Sequence, residues 1–289
     1  MKLAATLNNA TLELAQAGID SAQLDAEVLL AHSLQCTRAN LLLKNSTLST
    51  EQNKSYQSLI QRRKNFEPVA YITGTKDFWS LKLKVSSDVL IPRPETEHLV
   101  ERAIEIVQAD EIKPQKDLHI LDLCTGSGCI AAALAHELPN CQITATDYSA
   151  KAITIAKHNL KFAQARINFL QGDLFAALPP ISDQTFPQYD LITCNPPYGS
   201  CDDKNFARES KAYEPHLALM AEDNGFKIID HILNQAHKYL QPKGWLILEV
   251  GYNQAEQTIK NALATNKYSE HSIKKDLAGI ERIISLKKS

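Results

Sequence analysis

An alternation of short apolar runs and helix-like segments, between residues 118 and 250, constrains the fold of this chain more than any other feature. The apolar runs predict buried strands, and they lie at 118–121, 142–146, 168–170, 190–194 and 245–250. Helical patterns separate them, and strands joined by crossover helices pair in parallel. The sequence therefore predicts an α/β fold with a doubly wound, mostly parallel sheet, which binds its ligand beyond the carboxyl ends of the strands.

Residues 1–75 predict a small N-terminal helical domain. Leucines at helical spacing end before Gly18, which favours a helix stop there. Ser21 is placed to cap a second helix, and Ser49 with Gln52 fits a capping box for a third. Two interpretations of this domain are open: a module that only packs, and a platform that recognises a macromolecular substrate.

The segment between the helical domain and the sheet alternates apolar and polar residues over 76–92, which predicts a β-hairpin linker. The remainder, residues 93–289, then forms the α/β domain. Because 289 residues exceed the size of an average single core, this division into two domains agrees with the length of the chain.

Charge and cysteine content exclude several classes of protein. The formal net charge of −2 gives no overall field that would draw the chain to nucleic acid or to a membrane surface. No apolar run is long enough to span a bilayer, and the amino terminus lacks a signal-peptide core. The six cysteines form no Cys-x-x-Cys pair, and the histidines form no ligand-spaced group, so we expect no metal site and a reducing, cytoplasmic environment.

A glycine-rich turn follows the first predicted strand and opens a helix. Asp122 closes the strand, and the turn that follows contains Cys124, Thr125, Gly126, Ser127 and Gly128. Glycine lets the backbone approach a ligand without a Cβ clash. Because Asp122 ends its strand facing the same space, we expect it to bind the ammonium group of that ligand.

Two more acidic residues end the next strands of the predicted sheet. Asp147 follows the second strand, where its carboxylate can accept both hydroxyls of a ribose. Asp173 follows the third, where it can accept from an adenine amino group, and Leu174 or Phe175 can cover the adenine ring. Three acids at three strand ends predict S-adenosylmethionine as the cofactor.

A dinucleotide is the rival ligand for this turn. Residues 126–131 match the fingerprint G-x-G-x-x-A, and Asp147 lies near the expected ribose-binding acid. A carboxylate before the turn suits an ammonium better than a pyrophosphate, and the acid after the third strand adds a second difference. A protein that senses a dinucleotide or adenosine without catalysis stays open as an alternative.

The run Asn195-Pro196-Pro197-Tyr198 follows the fourth predicted strand. Two prolines end any strand, because they supply no ladder donor and fix φ. Exposed carbonyls, an amide side chain and an aromatic ring then form a pocket for a flat group that carries an NH2. The alternative is a Pro-Pro turn that only ends a strand.

These motifs, together with the run Ile-Pro-Arg-Pro-Glu-Thr-Glu at 91–97, Tyr213-Glu214-Pro215 and Asp-Leu-Ala-Gly at 276–279, resemble the release factor glutamine methyltransferase family. That family belongs to the class I S-adenosylmethionine-dependent amino methyltransferases. The resemblance implies a Rossmann-like methyltransferase domain over residues 93–289. It also implies methylation of the side-chain amide of glutamine in the Gly-Gly-Gln motif of peptide chain release factors.

The resemblance assigns roles to the four residues of the Asn-Pro-Pro-Tyr run. Asn195 and Pro196 are expected to accept the two amide hydrogens of the substrate, with Tyr198 packed on the flat amide; Pro197 also contacts the substrate, and Asn195 reaches the cofactor. Release factors are the expected partners, with no direct nucleic-acid requirement and no membrane. A nucleic-acid methyltransferase acting on adenine N6 or guanine N2 is the alternative, which the near-neutral charge disfavours.

Overall fold

The computed structural model describes residues 2–43, 47–109, 118–180, 188–199 and 208–289. This part of the chain forms two compact units. The first unit contains residues 2–75 together with residues 208–213. The second unit contains the described residues between 76 and 199 and those between 214 and 289. Within the described ranges, no helix combines the length and the apolar character needed to cross a membrane.

The first unit is helical. Its helices are α1 (Leu3–Gln16), α2 (Ala22–Ser33), α3 (Arg38–Leu43), α4 (Thr50–Lys64), α5 (Val69–Thr73) and α9 (Arg208–Tyr213). Leu14, Leu29, Leu30 and Ile60 are fully buried between them. Tyr56 is buried as well, and its hydroxyl donates to the carbonyl of Ala26 at 3.0 Å, so the phenol oxygen is hydrogen-bonded although it lies in the core.

Two helix caps were predicted in this unit, and one of them forms. At the start of α4, the Ser49 hydroxyl accepts from the backbone N–H of Gln52 at 3.1 Å, while the Gln52 side chain accepts from the backbone N–H of Ser49 at 3.0 Å, so the capping box is confirmed. The cap predicted at Ser21 is wrong. Its hydroxyl donates to the carboxylate of Asp25 at 2.9 Å, and a hydroxyl oriented in this way does not cap the backbone of α2.

Helix α9 joins the first unit through a buried cation. Arg63 on α4 is 4% exposed, and its Nε donates to Asp25 at 2.7 Å. Its Nη2 donates to Glu209 on α9 at 2.6 Å. The hydroxyl of Tyr213 donates to the carbonyl of Asn65 at 2.9 Å and fixes the other end of the helix. The predicted domain bounds place residues 208–213 in the α/β domain at 93–289, whereas they belong to the helical unit.

The predicted hairpin is present. Its strands are β1 (Thr75–Phe78) and β2 (Leu81–Lys84), which form a two-stranded sheet. Trp79 and Ser80 connect them, with φ values of 51° and 61°. Positive φ at both central residues gives the turn the twist that antiparallel neighbours require.

A seven-stranded sheet forms the centre of the second unit. Its strands are β3 (His119–Leu123), β4 (Gln142–Asp147), β5 (Ile167–Gln171), β6 (Tyr189–Cys194), β7 (Leu240–Glu249), β8 (Tyr268–Lys275) and β9 (Glu281–Lys288). The order across the sheet is β5-β4-β3-β6-β7-β9-β8. The first five strands in that order pair in parallel, whereas β9 is antiparallel to β7 and to β8. The predicted doubly wound α/β fold is confirmed, and the antiparallel edge is a feature that the prediction lacked.

Helices cover both faces of this sheet. They are α6 (Glu97–Gln108), α7 (Cys129–Glu137), α8 (Ala150–Asn159), α11 (Phe226–Tyr239) and α12 (Ala255–Ala264), and the short helix α10 (His216–Leu219) lies beside the cavity described below. Successive residues of β3 point to opposite faces, so Ile120 packs with α6 and α7 while Leu121 packs with α11. Strand order reverses between β3 and β6. Such a reversal opens a crevice at the carboxyl ends of the two strands.

Candidate active site

A cavity of about 320 Å³ lies at the carboxyl ends of β3, β4, β5 and β6. Pockets for small ligands occupy roughly 300–1,000 Å³, so a nucleoside-sized molecule fits this volume. The predicted site residues that line it are Cys124, Gly126, Asp147, Asp173, Leu174, Asn195 and Pro197. The structure therefore brings two of the three strand-end acids, Asp147 and Asp173, to one cavity with Asn195 and Pro197.

The turn after β3 adopts a left-handed backbone at three positions. Cys124, Gly126 and Gly128 have φ values of 55°, 56° and 79°. A Cβ on Gly128 would lie 2.7 Å from a side-chain carbon of Leu160 and 3.1 Å from the Cβ of Ala156. Gly128 therefore lets the turn pack closely against α8, and it does not line the cavity. The buried residues Thr125 and Ser127 lie behind the cavity wall as well.

Asp122 does not line the cavity, although the sequence reasoning placed it there. It is fully buried, and its two carboxylate oxygens accept from the hydroxyls of Thr125 at 2.5 Å and Thr193 at 2.9 Å. Burial raises the pKa of Asp122 to about 7, and these two hydroxyls act in the opposite direction. Because Thr125 folds back over the carboxylate, Asp122 supports the turn from behind the cavity wall, and its contact with an ammonium group stays a prediction.

Asp147 ends β4 on the cavity wall. One carboxylate oxygen accepts from the N–H of Gly126 at 2.8 Å, and the other accepts from the N–H of Ser149 at 2.8 Å. Burial raises its pKa, and the two N–H groups act to lower it. Each oxygen retains a lone pair, so the carboxylate can also accept a pair of ligand hydroxyls.

The turn after β5 completes the cavity wall. A Cβ on Gly172 would lie 2.7 Å from the Cα of Ala177, so the chain turns here only with glycine. Asp173 and Leu174 then line the cavity. Phe175 points away from it and stacks on Tyr239, with ring centroids 4.7 Å apart. Of the two residues proposed to cover an adenine ring, Leu174 is the one placed to do so.

The Asn195 side chain lines the cavity, and the NH2 end of its amide already makes a hydrogen bond within the protein. Its Nδ2 donates to the Thr96 hydroxyl at 3.1 Å. Among the described residues, none donates to its Oδ1. Pro197 also lines the cavity, whereas Pro196 is buried behind it. The oxygen of Asn195 is therefore the end left for a ligand.

Tyr198 lies outside the cavity wall and is held at three points. Its hydroxyl donates to Glu249 at 2.9 Å, and its carbonyl accepts from the Gln254 side chain at 3.0 Å. Its ring edge packs against Gly251, where a Cβ would come within 3.1 Å of Cδ2. Burial and the carboxylate of Glu249 both raise the pKa of Tyr198, so the phenol stays protonated.

Sequence reasoning missed several residues of this site. Thr96 and Glu249 contact the Asn-Pro-Pro-Tyr run, and Leu90, Pro215 and Leu217 line the cavity. Glu214, which is buried, accepts from the N–H of Ile91 at 3.1 Å and from Arg93, and so joins the segments at 91–93 and 214–218. The signal in the sequence for these contacts was the family resemblance of two proline-containing runs, at 91–97 and 213–215.

The residues of the cavity fit the adenosine portion of the expected cofactor. Two carboxylates, Asp147 and Asp173, can accept from hydroxyl and amino groups, while Leu174 and Ile228 provide apolar wall. Within the part of the chain that the structure describes, no group of His, Cys, Asp or Glu side chains is arranged to hold a metal ion.

Comparisons with known proteins agree with this geometry. Residues 5–74 match the model of the PrmC N-terminal domain, and residues 114–283 match a methyltransferase domain. A release factor glutamine methyltransferase from Koribacter versatilis is 37% identical over 286 residues, which cover 98% of each chain. One from Coxiella burnetii is 42% identical over 264 residues, which cover 91% of this chain and 90% of the relative.

Solved structures share the fold at lower identity. The N-terminal domain of human METTL16 in complex with SAH superposes with a TM-score of 0.53 at 16% identity, covering 85% of this chain and 86% of that one. At this identity the likeness shows the Rossmann-like methyltransferase fold alone. The family resemblance deduced from the sequence is confirmed by the relatives that are similar over nearly the whole length, and the chain belongs to the release factor glutamine methyltransferase family.

Proposed function

We propose that this chain transfers a methyl group from S-adenosylmethionine to the side-chain amide nitrogen of the glutamine in the Gly-Gly-Gln motif of peptide chain release factors. Membership of the family supports the reaction and the substrate. The observation that carries the assignment is the position of Asn195. It lies on the same cavity as Asp147 and Asp173, with its NH2 engaged by Thr96 and no described residue donating to its oxygen.

The cofactor would be held by the strand-end residues of the cavity. Asp147 accepts from the ribose hydroxyls, Asp173 from the adenine amino group, and Leu174 covers the ring. Gly126 contributes backbone that can approach the ligand closely, since it carries no Cβ. When bound there, S-adenosylmethionine supplies an electrophilic methyl group next to the end of β6.

Asn195 and Pro196 act on the substrate amide. An amide nitrogen is a poor nucleophile, because its lone pair is delocalised into the carbonyl. The Asn195 oxygen and the Pro196 carbonyl accept its two hydrogens, which favours a pyramidal nitrogen and stabilises the positive charge that develops on it. Fixing the nitrogen in one orientation also lowers the entropic part of the barrier.

Pro197 and Tyr198 shape the opening for the substrate. Tyr198 packs on the flat amide and excludes water, and its hydroxyl is already satisfied by Glu249. Pro197 forms part of the wall beside it. The amide proton leaves to water after methylation, so the reaction requires no buried general base.

Release factor protein alone is the proposed partner, without a nucleic-acid requirement, and the cytoplasm, where translation terminates, is the proposed compartment. Residues 1–75 are proposed to be a domain that recognises this protein substrate, followed by the hairpin linker at 76–92 and the methyltransferase domain at 93–289. The family match over residues 5–74 supports a role linked to this substrate class.

Incubation with labelled S-adenosylmethionine and nuclease-treated release factor tests the proposal. We expect one methyl group on the motif glutamine, located by mass mapping, and none on a release factor with alanine at that position. Asn195→Ala should lower kcat by about 100-fold, the scale for a lost stabilising contact. The matched control is Asn168→Ala, at an exposed position on β5. Preferential labelling of DNA or ribosomal RNA at low salt would contradict the assignment.

A further inference from the structure

Exposed apolar side chains of the second unit are concentrated at one edge of its sheet. Of the seven large ones that the structure describes there, four lie at the carboxyl ends of the parallel strands: Tyr148, Leu217, Tyr252 and Leu277. The first two line the cofactor cavity, whereas Tyr252 and Leu277 lie outside it. A single exposed leucine is ordinary, but apolar side chains grouped beside a binding site mark a surface that contacts a partner.

Leu277 is the most exposed of these side chains, at 96%, and it lies in the turn between β8 and β9. Because β9 is antiparallel to β7, with Ile283 opposite Glu249, this turn projects from the same edge of the sheet as the Asn-Pro-Pro-Tyr run. A leucine that is exposed at a turn contributes nothing to the core. The packing of the unit therefore does not explain an apolar residue at this position.

The turn that carries Leu277 is held by the side chain that precedes it. Oδ1 of Asp276 accepts from the N–H groups of Ala278 and Ile280, each at 2.9 Å. The N–H of Asp276 donates to the carbonyl of Ile280 at 2.8 Å and closes the turn. Leu277 is therefore presented on an ordered backbone, so contact with a partner costs little conformational entropy.

Arg282 connects this turn to the loop after β7. Its Nε donates to Oδ2 of Asp276 at 3.3 Å, and its carbonyl accepts from the N–H of Val250 at 2.9 Å. The position of the Leu277 turn is therefore fixed relative to the end of β7.

Tyr252 adds a second exposed apolar side chain beside this turn. It lies two residues after Val250, in the loop that follows β7, and β7 is the neighbour of β9 in the sheet. Gly251, between these two residues, packs against the Tyr198 ring, so the loop borders the substrate end of the site. We refer to Tyr252 and Leu277 as the apolar ledge.

The sheet sets the distance between the apolar ledge and Asn195. Asn195 follows β6, and the ledge lies at the ends of β7 and β9, which are the next two strands in order. Neighbouring strands are about 4.8 Å apart, so Leu277 lies about 10 Å along the edge from Asn195. An extended chain advances about 3.3 Å per residue. A substrate chain that runs along this edge with its glutamine at Asn195 therefore meets the ledge about three residues away.

We propose that the apolar ledge docks an apolar side chain of the release factor, about three residues from the motif glutamine. The occupant follows from continuity with the site, because the glutamine reaches Asn195 only as part of a polypeptide. The ledge extends that site on the side away from Asp147 and Asp173, where no cofactor group is expected. Burial of the two exposed side chains then contributes affinity for the protein substrate. The inference deepens the proposed function and rests on it.

Leu277→Ser removes the apolar contact at a position where the side chain supports no packing within the chain. The KM for release factor should rise about tenfold, the scale for a lost leucine contact. The value of kcat and the Kd for S-adenosylmethionine should each stay within twofold. Leu277→Met keeps the apolar volume and should restore KM to within twofold of the unmodified chain. Tyr252→Ser should raise KM in the same direction as Leu277→Ser.

Leu263→Ser is the matched control, because Leu263 is an exposed leucine near the end of α12 and lies outside the ledge. It should leave the KM for release factor unchanged. An equal rise of KM in Leu263→Ser and Leu277→Ser would overturn the inference.

A double-mutant cycle identifies the docked side chain. Release factor is changed to alanine at each position within five residues of the motif glutamine, and its Kd is measured by calorimetry with S-adenosylhomocysteine in place of the methyl donor. We expect one apolar position where alanine weakens binding about tenfold to the unmodified chain but less than twofold to Leu277→Ser, which is the signature of residues in contact. If each position loses the same affinity with both chains, the ledge does not contact this segment and the inference is overturned.

The binding measurement separates failure of this inference from failure of the proposed function, because it needs no turnover. Methylation of the motif glutamine with unchanged KM and Kd in Leu277→Ser overturns the inference alone. Coupled binding without methylation overturns the proposed function alone. Sedimentation that shows a dimer of the unmodified chain and a monomer of Leu277→Ser would assign the ledge to a second copy of this chain, and it would also overturn the inference.

Discussion

Replacement of Gly225 by alanine tests whether the Asn-Pro-Pro-Tyr run is held by backbone packing. Gly225 precedes α11 with φ of 89°. An added Cβ would lie 2.1 Å from the Tyr198 carbonyl oxygen and 2.6 Å from the Gln254 side-chain nitrogen. Those two atoms bond to each other at 3.0 Å, so the methyl group would enter the contact that anchors the Tyr198 backbone.

The expected cost has two parts. A left-handed backbone at a residue with a Cβ costs roughly 1–2 kcal/mol. Forcing a methyl group into a packed site adds about 1–3 kcal/mol, which gives a total of roughly 2–5 kcal/mol for Gly225→Ala. At about 2–4 °C per kcal/mol for a unit of this size, Tm should fall by roughly 4–20 °C. Because the carbonyl of Tyr198 must move, kcat should also fall by at least tenfold, while the Kd for S-adenosylmethionine changes little.

Gly279→Ala is the matched control. Gly279 has φ of 80° in the same unit, and nothing lies within 4 Å of an added Cβ. It should therefore show the backbone cost alone and keep kcat within about twofold, measured by thermal unfolding and methyl transfer in parallel. Equal falls of Tm in the two variants, or full activity of Gly225→Ala, would refute the claim that packing on Gly225 holds Tyr198 in place.

Three further variants test separate parts of the structure. The pKa of Asp122 is raised to about 7, so between pH 5 and pH 7 the folded chain keeps a proton that the unfolded chain has lost, and stability falls as pH rises. Urea unfolding should show a loss of about 3 kcal/mol from pH 5 to pH 8 relative to Asp122→Asn. Equal pH profiles for the two proteins would contradict this. Asp147→Ala should weaken S-adenosylmethionine binding at least tenfold by calorimetry, with the exposed Asp20→Ala as control; unchanged affinity would exclude Asp147 from the site. Arg63→Met leaves Asp25 buried without its cation and should lower the free energy of unfolding by about 3–5 kcal/mol. Arg62→Met removes an exposed ion pair and should cost at most about 1 kcal/mol. Similar values for both variants would refute a stabilising role for the buried Arg63 ion pair.

The parallel part of the sheet was predictable because its signal is local. Each strand from β3 to β7 contains an apolar run between helical patterns, and parallel strands bring their carboxyl ends to one edge. The common position of Asp147, Asp173 and Asn195 at one edge of the sheet was therefore predictable without knowledge of side-chain contacts. By contrast, β8 alternates exposed and partly buried residues after Tyr268 and contains no apolar run, so the antiparallel edge was not recognised.

Other features depend on contacts between distant residues, which the local pattern does not encode. Asp122 and Asp147 both end strands in the sequence pattern, yet Thr125 and Thr193 cover the first carboxylate, whereas the second faces the cavity. Helix α9 belongs to the helical unit because Glu209 meets a buried arginine that is 146 positions away. The sequence pattern predicts which residues lie at an edge of the sheet. Side-chain packing decides which of them are covered by neighbours and which face the cavity.

The Asn-Pro-Pro-Tyr run does not form an acceptor site by itself. Two prolines end β6 and expose carbonyls, but the orientation of the amide before them and of the ring after them comes from residues elsewhere in the chain. Thr96 engages the NH2 of Asn195, while Glu249 and Gln254 hold opposite ends of Tyr198. A chain that kept the run and the strand-end acids but lost these three side chains would therefore still bind the cofactor, because Asp147 and Asp173 are positioned independently, and it would lose the oriented oxygen that the transfer requires.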